Sequence, residues 1–219
     1  MARILVINPN SSGPCSAGID AAVDRFRLPG APAIEVATLR EGPPEIATWQ
    51  HWHQVVGPMC ALIAREPADA YVIACASDPG IEAARAVTPR PVLGIFRAAV
   101  ATAVARAERF GVIAMVDSSV ARHAAALRAM GLESRLAGEV PMNLPMQTLL
   151  DPAAARAGLI RAAETLRAMG AETLILGCTG MAHHRAAVQD AAGIPVIEPT
   201  QAAVALALGT LLAEAPAVA

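Results

Sequence analysis

Two cysteines stand at equivalent places in the sequence, each after a short apolar run. Cys75 follows residues 71–74 and Cys178 follows residues 174–177, and small residues come after both. Such a run, followed by a helical pattern, is typical of a buried parallel strand at its carboxyl end, where α/β proteins bind their ligands. Two thiols at two such ends predict a pair of acid/base groups that face each other across one small substrate.

The residues after each cysteine suit proton transfer. A thiol is a useful proton carrier when its pKa is brought from about 8.5 towards the working pH. Both cysteines precede a predicted helix start, whose positive dipole end favours a thiolate. The backbone N–H groups of Ala76, Ser77, Thr179 and Gly180 are expected to hold an enolate or carboxylate oxygen. The pattern predicts a site that moves a proton on and off a carbon next to a carbonyl, with one thiol on each face.

The elements around the two cysteines form an internal repeat with a period of a little over about 100 residues. Three segments of the first half are matched in the second: residues 3–7 by 109–113, 69–75 by 172–178, and 90–93 by 194–197. We therefore expect an α/β fold of two pseudosymmetric lobes, each a parallel sheet flanked by helices. The first lobe is predicted to comprise residues 1–96 and 200–219 and the second residues 97–199, with the active site in the cleft between them.

Capping and helix-breaking residues predict several boundaries. Asp78 is placed as the N-cap of a helix over residues 80–87. An earlier helix, from about residue 46, is expected to kink at Gly57 and Pro58. A weak strand over residues 133–137 is expected to precede a proline-rich loop over residues 141–145.

Composition excludes several classes of function. The 219 residues are 55% hydrophobic with a mean hydropathy of +0.46, so the chain can bury a sizeable core. No apolar run approaches the roughly 20 residues of a membrane-spanning helix, and no signal peptide is evident, so we expect a cytoplasmic protein. The net charge of −2, with interspersed charges and only 3% aromatic residues, argues against nucleic-acid and membrane partners. The expected partners are a small-molecule substrate and further copies of the chain in a homo-oligomer.

The basic residues and the cysteines restrict the cofactor. All 17 basic residues are Arg, so the Lys that a pyridoxal-phosphate enzyme or a P-loop requires is missing, and we expect no cofactor. The four cysteines show neither disulfide-framework nor zinc spacing. Cys15 and Cys60 lack the placement of the other two and are interpreted as structural.

Histidines and tryptophans offer weaker candidates. His51 and His53 lie two residues apart on a predicted helix and point to different faces, and no carboxylate stands at ligand spacing near them or near His183 and His184. No metal site is therefore predicted. Trp49 and Trp52, at helical spacing, are expected either in the core or in a lid over an apolar substituent.

Three segments resemble the hydantoin racemases of the aspartate/glutamate racemase superfamily. They are residues 3–12, residues 74–80 and residues 176–182, and Asp-Pro-Gly after the first cysteine is the most specific part. The resemblance extends over essentially the whole chain. It implies cofactor-independent racemisation by Cys75 and Cys178, and the allantoin racemases share the pattern.

The sequence departs from that family at two places. Ala76 and Ser77 stand where hydantoin racemases usually carry an aromatic residue and glycine, and Arg97 stands where an acidic residue is usual. Arg97 is expected either to clamp a substrate carboxylate, which favours a carboxylated substrate, or to begin a solvent-facing helix. The Asn-Thr pair that follows the first cysteine of aspartate and glutamate racemases is absent. The arylmalonate decarboxylases of the same superfamily resemble a version of this pattern with one cysteine. The presence of two cysteines therefore argues against decarboxylase activity.

Substrate contacts and reaction type leave alternatives. Asn10 and Ser11 end the first strand and are expected either to bind substrate or to cap the next helix. The favoured activity is racemisation of a 5-substituted hydantoin or allantoin. The alternatives are an amino-acid racemase of the aspartate/glutamate type, a decarboxylase or cis-trans isomerase that uses one cysteine, and a non-catalytic binding protein.

Overall fold

The computed structural model describes residues 2–144, 148 and 151–214. Two parallel sheets of four strands each form the framework, with the orders β2-β1-β3-β4 and β6-β5-β7-β8. The strands of the first sheet are β1 (Arg3–Asn8), β2 (Ala33–Thr38), β3 (Ala70–Ile73) and β4 (Val92–Gly94). Those of the second are β5 (Phe110–Ala114), β6 (Leu136–Pro141), β7 (Thr173–Gly177) and β8 (Val196–Ile197). The identical strand orders confirm the predicted α/β fold of two repeated lobes.

Helices flank both sheets. They are α1 (Gly13–Val23), α2 (Trp49–Gln54), α3 (Val56–Arg65), α4 (Ile81–Ala86), α5 (Ile95–Val104), α6 (Asp117–Met130), α7 (Pro152–Ala168), α8 (Arg185–Ala192) and α9 (Pro199–Glu214). Short 3-10 turns span Asp24–Phe26, Glu133–Arg135 and Thr179–His184. None of these helices in the described part of the chain is both long and apolar enough to cross a membrane.

A central core lies between the two sheets. Ile4 and Val6 of β1 share it with Phe110 and Val112 of β5, and the helices α5 and α9 pack into it. Because successive strand residues point to opposite faces, Leu5 and its alternating neighbours face a second core on the outside of the first lobe. The last helix packs on α5 and β3, and the predicted division of the chain into lobes at residues 96 and 199 stays a prediction. The cytoplasmic location and the homo-oligomer predicted from the sequence stay predictions.

The lobes also meet at the edges of the cleft. The helix α1 packs against the turn Thr179–His184 of the second lobe. From the other side, the Ser118 hydroxyl donates a hydrogen bond to the carbonyl of Ala47. Both contacts join segments that belong to different sheets.

Two element boundaries differ from the sequence-based expectation. The helix break lies at Val55, between α2 and α3, and not at Gly57 and Pro58. Pro58 lies in the first turn of α3, where a backbone N–H has no intrahelical partner, so proline does not interrupt the hydrogen bonds of the helix.

The expected strand over residues 133–137 is also shifted. Its first three residues form a 3-10 turn, and β6 then continues to Pro141. Proline is tolerated there because β6 is an edge strand. The rest of the expected proline-rich loop ends at Pro145, which lies outside the described residues.

Candidate active site

Cys75 and Cys178 line one cavity between the two lobes. The empty space at this site, counted together with the open solvent at its mouth, is about 410 Å³. Cys178 directly follows β7, and Cys75 lies two residues beyond the end of β3. The first lobe also contributes Asn10, Ile46, Ala74, Ala76 and Ser77 to the wall. The second lobe contributes Met115, Ser119, Arg122, His123, Gly177 and Thr179. The structure therefore brings together two thiols from equivalent strand ends.

The half-buried Cys75 is surrounded by groups that favour its thiolate. Its Sγ lies 3.4 Å from the hydroxyl oxygen of Ser77. Burial raises the pKa of Cys75, but the hydroxyl and backbone N–H of Ser77 and the positive charge of Arg122 oppose that rise. Asp78, one residue further on, adds a smaller upward contribution to this pKa.

Cys178 is less favourable for a negative charge. It is only 7% exposed, and its thiol contacts the Met115 sulfur at 3.8 Å. Burial raises the pKa of Cys178 strongly, and repulsion from a negative charge on Cys15, Cys75 or Glu45 raises it further. The backbone N–H of Gly180 lowers the pKa of Cys178 through a hydrogen bond to the sulfur. The two thiols are therefore equivalent in the fold but unequal in charge environment.

Asp78 holds the turn that carries Cys75. It does not cap its own helix, α4, which begins after Gly80 with no side-chain cap. Its carboxylate instead accepts hydrogen bonds from the backbone N–H groups of Phe96 and Arg97 at the start of α5, both at 2.9 Å. Gly94 leaves room for this contact, because a Cβ at that position would lie 2.2 Å from the Asp78 Cγ. The turn is thus fixed to α5.

Arg97 does not line the cavity between the cysteines. Its Nη1 lies 3.3 Å from the Asp78 carboxylate and its Nη2 lies 2.9 Å from that of Glu82. It belongs instead to the wall of an adjacent, more open cavity that also includes Ser77 and Arg122. Its charge is therefore already compensated by two carboxylates.

Asn10 and Ser11 have different positions. Asn10 lines the cavity, but its side-chain oxygen accepts hydrogen bonds from Asn8 Nδ2 at 3.0 Å and from Ser12 N–H at 2.9 Å. Asn10 therefore shapes the turn after β1. Ser12, and not Asn10 or Ser11, caps α1 by accepting from the N–H of Cys15. The Ser11 N–H donates to the carbonyl of Pro43, away from the cysteines.

The two remaining cysteines are not in the cavity wall. Cys15 is buried, with its Sγ 3.4 Å from the hydroxyl oxygen of Thr179, the residue after Cys178. Cys15 therefore contacts the site through Thr179 without lining the cavity itself. Cys60 is partly buried on α3.

Sequence reasoning missed three polar residues of α6, namely Ser119, Arg122 and His123, which all lie in the cavity wall. His123 is bonded through Nδ1 to the Glu139 carboxylate and stacks on Phe96, with ring centroids 4.3 Å apart. All three share the buried face of α6 with Ala126 and Leu127. The sequence did contain a signal for this site, because polar and charged residues recur at helical spacing on the same face as apolar ones. Such residues are rarely buried without a function or a partner.

The histidines considered as metal ligands lie apart from this arrangement. His51 and His53 belong to α2, and His183 and His184 to the turn Thr179–His184. Within the described ranges, no group of three or more His, Cys, Asp or Glu side chains is arranged to hold a metal ion. Trp49 and Trp52 line the adjacent open cavity, and Trp52 Nε1 donates to the Ser77 carbonyl at 3.0 Å.

Comparison with known proteins agrees with the fold. The family model described as Asp/Glu/Hydantoin racemase matches residues 4–207. A hydantoin racemase of Paenarthrobacter aurescens is 35% identical over 213 residues, which cover 92% of this chain and 87% of that protein. The allantoin racemase of Klebsiella pneumoniae superposes with a TM-score of 0.88 at 29% identity, covering 97% of this chain and 88% of the other. The allantoin racemase of Pseudomonas fluorescens gives 0.87 at 26% identity, with 96% and 91% covered. The resemblance seen in the sequence is confirmed: the chain belongs to the Asp/Glu/hydantoin racemase family, and it is an isomerase.

Proposed function

We propose that this protein racemises a 5-substituted hydantoin or allantoin without a cofactor, using Cys75 and Cys178 as the two proton-transfer groups. The observation that carries the proposal is that both thiols line one cavity, at matching ends of β3 and β7. The relatives support the substrate class, since those compared above are named hydantoin racemase and allantoin racemase.

The proposed reaction uses both thiols in one turnover. The Cys75 thiolate removes the proton from one face of the carbon next to the carbonyl, and the electron pair of the broken C–H bond forms an enolate. The Cys178 thiol then gives its proton to the opposite face, which inverts the carbon and leaves Cys178 as the thiolate. The opposite enantiomer reacts by the same steps in reverse, so no cofactor is consumed.

The cavity wall supplies groups that could stabilise the enolate. Ser77, Ser119 and Thr179, which each carry a hydroxyl group, line the same cavity as the two thiols. A hydroxyl hydrogen bond to the enolate oxygen is stronger than one to the neutral carbonyl, so such donors lower the barrier.

Cys75 is proposed as the first base, because of the two thiols it loses its proton more readily. Two donor groups of Ser77 and the Arg122 charge oppose the rise of the Cys75 pKa, whereas one N–H acts on Cys178. The more deeply buried Cys178 then carries the proton.

Hydrogen exchange in deuterated water tests the proposal. A racemase incorporates deuterium at the stereogenic carbon and brings optical rotation to zero without releasing carbon dioxide; a decarboxylase releases it, and a binding protein does neither. Cys75→Ser and Cys178→Ser should each abolish racemisation, whereas Cys60→Ser, a change outside the cavity, should leave it unchanged. Full activity in both cavity variants would exclude the two-thiol mechanism.

A further inference from the structure

Arg122 is a buried cation without a counterion in the described structure. The residue is 2% exposed and lies in the cavity wall. Its Nη groups donate to neutral oxygens, the carbonyls of Ile46 at 3.4 Å and Ala47 at 3.3 Å and the hydroxyl of Ser119 at 3.2 Å. Its Nε–H is buried and has no hydrogen-bond partner among the described atoms. No carboxylate of residues 2–144 or 151–214 pairs with this guanidinium, in contrast to Arg97.

A buried guanidinium with only neutral partners is unfavourable unless an anion joins it in the functional state. The Cys75 thiolate can supply part of that charge. Thiolate formation alone leaves the Nε–H donor unused, and the negative charge moves to Cys178 in each turnover. A ligand anion that stays beside Arg122 throughout the turnover would keep the guanidinium paired.

The position of Arg122 indicates which part of a substrate it would meet. Arg122 and Ser77 belong to the wall of the cavity between the cysteines and also to that of the adjacent open cavity. The Arg122 guanidinium lies 5.9 Å from the ring centroid of Trp49, which also lines the open cavity. A substituent on the reacting carbon that extends towards this open cavity would pass the guanidinium.

We propose that Arg122 binds a carboxylate on the substituent of the reacting carbon, so that the preferred substrate is an anionic hydantoin. This inference rests on the proposed racemisation and narrows its substrate class. Arg122 is then a specificity-determining residue, because the guanidinium discriminates by charge without taking part in proton transfer.

Two compounds that differ in the charge of the substituent test this proposal. Hydantoin-5-acetate and its neutral amide, hydantoin-5-acetamide, have nearly the same shape. The wild type should show a kcat/KM at least about tenfold higher for the carboxylate, with most of the difference in KM, since a hydrogen bond to a charged group is worth that much. Arg122→Gln should lower kcat/KM for the carboxylate by about 10- to 100-fold and that for the amide by less than about threefold. Calorimetric binding of both compounds should show the same order.

Ser118→Ala is the matched control. Ser118 lies on the same helix and donates to the same Ala47 carbonyl as Arg122, but it does not line the cavity. The control should treat both compounds as the wild type does.

The outcomes separate the inference from the function on which it rests. Equal use of the two compounds by the wild type, or equal losses for both in Arg122→Gln, would overturn the carboxylate subsite. If Arg122→Gln lowers kcat/KM equally for both compounds and also shifts the absorbance titration of the thiolate, Arg122 acts on the Cys75 thiolate instead. If the acetate binds Arg122-dependently but its hydrogen never exchanges, the subsite stands and the proposed racemisation fails. Binding of neither compound also overturns the inference.

Discussion

The hydroxyl oxygen of Ser77 lies 3.4 Å from the Sγ of Cys75, within the turn that follows β3. Within the described part of the chain, Cys178 makes no such contact with a hydroxyl, and its thiol meets the sulfur of Met115 instead. The two halves of the repeat therefore present their thiols differently, although the strands that carry them match.

Removal of this hydroxyl should weaken the base. Ser77→Ala takes away one donor to the Cys75 thiolate, so the pKa of Cys75 should rise and kcat/KM near neutral pH should fall by about tenfold. The loss should shrink as pH increases, because a higher pH restores the thiolate. Ser77→Thr keeps a hydroxyl and should recover most of the activity. A loss that is the same at every pH would contradict this role.

The activity should rise with pH. A thiol must lose its proton to act as a base, and burial raises the pKa of Cys75 above its ordinary value. At neutral pH only a minor fraction is thiolate, so kcat/KM should increase through pH values above about 8.5. The decline at high pH, caused by ionisation of Cys178, should come later, because burial raises that pKa as well. A profile that is flat between about pH 7 and 9 would argue against a thiol as the base.

The fit between Gly94 and Asp78 predicts a stability defect. A methyl group at residue 94 would meet the Asp78 carboxyl at 2.2 Å, so Gly94→Ala must displace a side chain that holds α5 and the turn of Cys75. We expect a loss of about 1–3 kcal/mol in the free energy of unfolding, measured by urea denaturation, together with reduced activity.

Gly18→Ala provides the control for that change. Among the described residues, nothing lies within 4 Å of the place that a Cβ would take at Gly18, in the interior of α1. Alanine should therefore keep or increase stability there. Wild-type stability in Gly94→Ala would show that Asp78 can move freely.

The buried pair of His123 and Glu139 should couple energetically. Their side chains are 1% and 5% exposed, so His123→Leu leaves the carboxylate without its partner and should cost about 1–3 kcal/mol of stability. Replacing both residues by leucine should cost less than the sum of the two single changes. Urea denaturation of the three variants gives the coupling, and additive effects would show that the contact contributes nothing.

The framework was predictable because it follows from local apolar runs. The segments ending near Cys75 and Cys178 predicted buried parallel strands, and their recurrence predicted two similar lobes, which the strand orders confirm. The thiols share a cavity because parallel strands place their carboxyl ends at one edge of each sheet.

The partners of the charged side chains were not predictable in this way. Asp78 was expected to cap its own helix, α4. Asp78 instead adopts a positive φ of 46°, and its carboxylate accepts a hydrogen bond from the Phe96 N–H in the first turn of α5. Arg97 was considered for substrate binding, yet Arg122 lines the cavity. Which arginine meets a carboxylate depends on how helices from different lobes pack, and the local sequence carries no information on that.

The central core that α5 and α9 share with β1 and β5 makes each half of the chain depend on the other. A fragment that ended after α5 would expose its side of this core, an apolar face, to water, because the strands that cover it come later in the chain. A half-length fragment would therefore have to associate with a second copy of itself to bury that face. Because both halves belong to one chain, the first half has the Ser77 hydroxyl beside its cysteine and the second half supplies the Arg122 guanidinium, an asymmetry that two identical subunits would not have.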